Sequence, residues 1–194
     1  MKMTVLTIII VALVIIGLWF IVIYNKLIRM IETVNNNKKQ IDIQLDRRYK
    51  VYESLIEVVK KYMDYERTTL KEVIALRSKA QQAAASGNEK ERMEAEDAIS
   101  KIGAGLNLVF ERYPDLKADK NALQLQEEIV NTENKLTFSK QAYNDSIEKY
   151  EATRKSFFEA MVVSLFSTKL LKEFMYWGIT EEQRVQQEQY KVKM

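Results

Sequence analysis

From Met3 to Tyr24 the chain reads MTVLTIIIVALVIIGLWFIVIY, a run without a single charge. It approaches the roughly 20 apolar residues that carry a helix across the hydrocarbon core of a bilayer. Beyond it the apolar positions become periodic. Leu27, Ile31, Val34, Ile41, Leu45, Tyr52, Val59, Met63, Leu70 and Ile74 recur at spacings of four and three, or multiples of seven across the gaps. That is the stripe of a helix burying one narrow face against its neighbours. Neither glycine nor proline falls between Gly17 and Gly87, so the pattern predicts one long helix over 25–86. Its weak point is Asn35-Asn36-Asn37, where a new helix would cap.

Gly87 and Asn88 have the chemistry of a helix end followed at once by a helix start, so a tight hairpin is expected there. A second helix over 88–113 carries Ala95, Ile99, Ile102, Leu106, Val109 and Tyr113, and its Gly103 and Gly105 allow a neighbour to approach closely. Pro114, the only proline of 194 residues, marks the second corner, with Asp115 and Asp119 suited to turn and cap. The next stripe, Leu125, Thr132, Leu136, Tyr143, Ile147, Tyr150, Phe157, Met161 and Leu165, predicts a third helix over 121–177. From 178 to 194 the sequence is polar and reads as a frayed tail.

The fold class is therefore all-α: a transmembrane anchor over 1–24 continuing into an elongated, antiparallel up-down-up bundle over 25–177. At 1.5 Å per residue its three helices measure about 93, 39 and 85 Å. Such unequal rods leave two apolar surfaces without an internal partner. One is Leu27, Ile31, Val34, Ile41 and Leu45. The other is the end of the third helix, where Phe157, Met161, Val163, Phe166, Leu170, Phe174 and Trp177 would pack against another copy or another protein. A break near 150–160 would instead fold this segment back and bury Trp177 within its own bundle.

Composition narrows the chemistry. The chain has no cysteine and no histidine, which removes thiolate chemistry, His-based triads and the commonest metal ligand. Ser146 and Lys149 match an S-x-x-K spacing but lack the companion S-D-N and K-T-G motifs, and there is no glycine-rich phosphate loop. No catalytic residue, cofactor or metal is predicted. Arg47, Arg48 and Tyr49, together with Glu133, Asn134, Tyr143, Asn144 and Asp145, read as interhelical polar stations that fix register. The net charge of +3 is too small to suggest a nucleic-acid partner. The stretch from Tyr24 to Lys50 is nevertheless locally basic. Lys26, Arg29, Lys38 and Lys39 follow the apolar run while Lys2 alone precedes it, which places the N-terminus outside and the helical domain in the cytoplasm. The length of the run and the lack of a small-x-small cleavage pattern distinguish it from a signal peptide.

Several motifs together resemble the LemA family of bacterial membrane proteins. They are Tyr24-Asn25-Lys26-Leu27, Gln44-Leu45-Asp46-Arg47-Arg48-Tyr49, Glu66, Arg77, Glu111-Arg112-Tyr113-Pro114-Asp115-Leu116-Lys117-Ala118, Thr132-Glu133-Asn134 and Tyr143-Asn144-Asp145. The resemblance covers about residues 1–155. It implies an N-terminal anchor, an elongated helical bundle and a bacterial inner-membrane location, and it brings no established activity. Some relatives belong to the set associated with forming magnetosome membranes and others occur beside TPM-domain membrane proteins, which hints at membrane organisation. Two departures stand out. The family proline after Arg48-Tyr49 is missing, which predicts a straighter first helix. The family's phenylalanine-proline break is replaced by Ser156-Phe157-Phe158, which favours a projecting third helix.

The sequence thus predicts a non-catalytic, single-pass membrane scaffold that self-associates through long cytoplasmic helices. The alternative is an adaptor or regulator docking on another membrane protein, such as a membrane protease.

Overall fold

With glycine and proline almost absent, the backbone folds as helix wherever helix is locally allowed, and its corners are set by a few caps and by tertiary contacts. The computed structural model describes residues 2–59, 67–112, 114 and 118–178. Among these residues the regular elements are helices: α1 (Lys2–Val59), α2 (Arg67–Ser86), α3 (Glu89–Arg112), α4 (Lys120–Arg154), α5 (Phe157–Leu165) and α6 (Ser167–Leu170). No strand occurs among them.

The predicted hairpin is present in detail. Gly87 adopts φ +75°, and two backbone bonds, Asn88 N–H to the Ala83 carbonyl and Gly87 N–H to that of Ala84, close the helix end as a Schellman motif. Asn88 then caps α3, accepting from the Glu91 N–H at 3.2 Å while its amide donates to the Glu91 carboxylate at 3.0 Å. Asp119 caps α4, accepting from Asn121 and Ala122 N–H at 2.8 and 3.2 Å. Asn35-Asn36-Asn37 does not break α1; the Asn37 side chain instead donates to the Ala142 carbonyl at 3.0 Å.

Two predicted rods are not continuous. The first was expected over 25–86, but Arg77 of α2 pairs with Glu53 of α1 and its guanidinium lies 4.8 Å from the Tyr49 ring. An unbroken helix would hold residues 53 and 77 about 36 Å apart. Residues 53 and 77 therefore do not belong to one unbroken helix, and residues 60–66 lie outside those described. At Glu53, where the family proline is missing, α1 continues without interruption to Val59.

The third rod, expected over 121–177, ends at Arg154. Ser156 is extended (φ −64°, ψ 149°) and Phe166 leaves the helical region again (φ −122°, ψ 37°). No proline is needed, because tertiary contacts hold the fold-back. Tyr150, fully buried, donates its hydroxyl proton to the Leu170 carbonyl and accepts from the Lys172 N–H at 3.0 Å. Its ring meets Phe174 edge-on at 5.6 Å.

The described residues divide into two compact units. One contains the chain up to Lys38 and Ala142–Phe174; the other contains Lys39–Gln141 and the residues from Met175 onward. The first has a core of Ile23, Leu27, Ile31, Val34, Tyr143, Ile147, Tyr150, Val162 and Leu170. The second centres on Leu45, Tyr52, Leu55, Ala80, Ala83, Ile99, Ile129 and Leu136, with Trp177 3 % exposed. The Trp177 ring lies between the Arg92 guanidinium at 5.4 Å and the Lys140 ammonium at 5.5 Å, two cation–π contacts that fasten the C-terminal segment.

Tyr150→Phe removes both hydroxyl bonds of the clasp while keeping the ring. It is expected to destabilise the fold by about 1–3 kcal/mol, the range for stranding buried polar partners. Faster amide exchange confined to α5 and α6 is the measurement that checks it.

A buried ion cluster as the candidate functional site

The polar side chains that fold into the interior of the second unit form its most distinctive chemistry. Arg48 and Tyr49, adjacent on α1, both reach Glu96 of α3: the guanidinium pairs with one carboxylate oxygen and the phenol donates to the other. Arg48 also donates to the Glu96 backbone carbonyl at 3.3 Å, to Ser100 Oγ at 2.7 Å and to Glu133 Oε1 of α4 at 3.3 Å. The Ser100 hydroxyl in turn donates a hydrogen bond to Glu133 Oε2 at 3.0 Å. Three helices are thus joined through one guanidinium. Arg48 and Glu96 are each only 1 % exposed, so their pairing and the extra hydrogen bonds must offset a large desolvation cost.

Around this centre lie outer pairs: Arg47 with Glu128, Arg92 with Asp42, and Lys140 with Asp97 at 3.2 Å. Burial, then the charge of Glu96 and the hydrogen bond to it, pushes the Tyr49 phenol well above the ordinary tyrosine range. Burial and the charge of Glu133 do the same to Tyr52. Neither phenol supplies a phenolate near neutral pH. Glu96, held by Arg48 and Tyr49, is committed to structure, and the arrangement acts as a lock between helices. Among the described residues no Asp or Glu group is arranged to hold a metal ion.

Tyr52, one turn beyond Arg48 on α1, packs its hydroxyl against Gly103 of α3. A Cβ at position 103 would clash with that oxygen and lie 3.4 Å from the ring carbon bearing it. The hydroxyl is buried without a hydrogen-bond partner.

Of the polar stations expected from sequence, Arg48, Tyr49 and Glu133 come together, and Arg47 joins the outer ring through Glu128. Asn134 and Asp145 are instead exposed, while Tyr143 is buried and Asn144 half-buried in the first unit. Glu96, Ser100 and Glu128 were not anticipated. The available signal was the spacing of Glu96, Ser100 and Gly103, which places an acid, a hydroxyl and a gap on one face of α3. Ser146 donates to the Tyr143 carbonyl at 2.6 Å, an ordinary bond within its own helix.

The expected interface residues are placed differently from the unshielded flanks predicted. Leu27, Ile31, Val34, Ile41 and Leu45 are buried within the chain, as are Val163, Leu170 and Trp177. The fold-back after Arg154 brings α5 and α6 into the unit that holds Leu27, Ile31 and Val34, a turn absent from the local pattern. Phe157, Met161 and Phe166 remain exposed, at 76, 49 and 45 %, and Phe174 is half-buried.

A family model described as the LemA family matches residues 37–193. The chain is also similar to a protein of Metamycoplasma hominis named Protein LemA, with 30 % identity over 120 residues. That match covers 62 % of this chain and 54 % of the relative, so the chain spans about half the length of the curated relative it matches.

Proposed function

We propose a non-catalytic scaffold role for this chain, which belongs to the LemA family: a single-pass protein of the bacterial cytoplasmic membrane that self-associates through its helical domain. The anchor reading is supported by α1, which is long and apolar enough to cross a membrane, and whose large apolar side chains from Met3 to Ile16 are all more than half exposed. The excess of Lys26, Arg29, Lys38 and Lys39 over Lys2 favours a cytoplasmic helical domain.

The observation that carries self-association lies on α4. Its inner face is buried through Ala122, Ile129 and Leu136, yet Leu123, Val130 and Phe138 are 40, 49 and 69 % exposed. Spacings of seven and eight align these three on a second, outward stripe. A second copy presenting the same stripe would cover it symmetrically. This face replaces the buried stripe of α1 as the proposed contact.

Full-length protein in detergent is expected to sediment as a defined oligomer. Phe138→Glu should weaken assembly tenfold or more, about 1.4 kcal/mol, without altering helix content. A monomer at all accessible concentrations would remove the scaffold reading and leave an adaptor that meets a different membrane protein.

A further inference from the structure

The first unit contains a helix that is apolar on both sides. On α5, Val162 and Val163 face inward and are buried, whereas Phe157, Phe158, Met161 and Leu165 are 76, 53, 49 and 66 % exposed. Phe166 and Leu171 extend this surface at 45 and 47 %. The polar side chains of α5 are Glu159 and Ser164, and both are occupied. Lys26 holds Glu159 at 2.8 Å, and Ser164 donates to the Met161 carbonyl at 2.7 Å. A helix apolar all round belongs in a protein core or a bilayer, and among the described residues the outward side of this one stays exposed.

Its neighbours indicate which. Phe158 meets Trp19 edge-on at 5.0 Å, and Phe166 meets Tyr24 at 5.2 Å. Phe20, Ile21, Tyr24 and Phe166 line an apolar cleft of about 220 Å³. The exposed side of α5 is therefore continuous with the C-terminal end of the uncharged run, at the depth of its aromatic belt. Lys155, Lys169 and Lys172 flank the apolar surface in sequence, where they can reach anionic headgroups.

We propose that the segment from Phe157 to Leu171 lies in the bilayer interface as a second membrane-contacting element, with lipid covering its outward face. This rests on the reading that the N-terminal run spans a bilayer. Lipid is favoured over a second copy because α5 packs on residues of the run that would themselves be lipid-bound, so the two surfaces share one solvent. The first unit would then contact the membrane at two points.

The chain has no cysteine, so single cysteines can be introduced at Phe157 and Leu165, with Ile10 as the span control and Asn134 as the aqueous control. Each full-length variant is labelled with an environment-sensitive NBD fluorophore. It is then reconstituted in vesicles of equal phosphatidylcholine and phosphatidylglycerol carrying doxyl-labelled lipid. Labels at 157 and 165 are expected to emit at shorter wavelength than the label at 134 and to be quenched by doxyl groups placed near the headgroup. The label at Ile10 should be quenched by deeper doxyl groups. If Ile10 is quenched but 157 and 165 are not, the inference is overturned and the span stands. A short-wavelength signal at 157 and 165 without doxyl quenching means protein covers the face, which also overturns it. An unquenched Ile10 removes the spanning reading and the inference built on it.

Discussion

Replacing Arg48 with methionine is expected to destabilise the second unit by about 3–5 kcal/mol, the cost of removing one member of a buried ion pair. The size follows from what would be left behind. Glu96, 1 % exposed, would lose its cationic partner and retain the Tyr49 hydroxyl as a donor, and Ser100 and Glu133 would lose the cation that joins them. Urea unfolding followed by Trp177 emission, with Trp19→Phe as background, reads this directly. Two comparisons isolate the cause. The Arg47–Glu128 pair is 41 and 33 % exposed at its side chains, so Arg47→Met should cost less than about 1 kcal/mol. Arg48→Met combined with Glu96→Leu should recover much of the loss, since apolar replacement of both partners relieves the stranded charge. Equal losses for Arg47 and Arg48 would contradict the cluster's role as the lock.

Gly103→Ala should reverse its sign with the residue at position 52. A helical glycine replaced by alanine ordinarily gains up to about 1 kcal/mol. Here the new methyl would clash with the Tyr52 hydroxyl oxygen, and overpacking a filled core costs about 1–3 kcal/mol. The ring cannot retreat easily, because Tyr52 is 1 % exposed, so the net result is destabilisation. Tyr52→Phe removes the obstructing atom and strands no partner, because the hydroxyl makes no hydrogen bond. Tyr52→Phe alone should therefore be close to neutral or mildly stabilising, and in that background Gly103→Ala should become stabilising. Thermal denaturation of the four variants tests the reversal; a clash of the same size in both backgrounds would refute the packing argument.

What the sequence disclosed and what it withheld follow from range. Helical class, the apolar run, the Gly87–Asn88 corner and the Asp119 cap are each written within a few neighbouring residues, where propensity and capping act. The fold-back after Arg154 is written instead in Tyr150 meeting Leu170 and Lys172, some twenty residues away, so a scan for proline and glycine passes over it. The return of α2 along α1 is likewise visible only when Arg77 meets Glu53. Leu27, Ile31, Val34, Ile41 and Leu45, expected as an exposed flank, lie in the core. In the ion cluster, Arg48, Tyr49 and Glu133 stood out as polar interruptions of apolar stripes. Glu96 lies on a helix rich in acids, where only its spacing to Ser100 and Gly103 sets it apart from its solvated neighbours.

The first unit draws its strands of sequence from distant parts of the chain: residues up to Lys38 and those from Ala142 to Phe174. During translation its first half leaves the ribosome long before its second, and at 5–20 residues per second the wait is roughly 5–20 s. Through that interval Leu27, Ile31 and Val34 have no intramolecular cover from their eventual partners. The nascent chain must therefore be shielded by lipid or chaperone until Tyr150 and Val162 arrive, and a ribosome stalled before residue 142 would leave this half open to proteolysis.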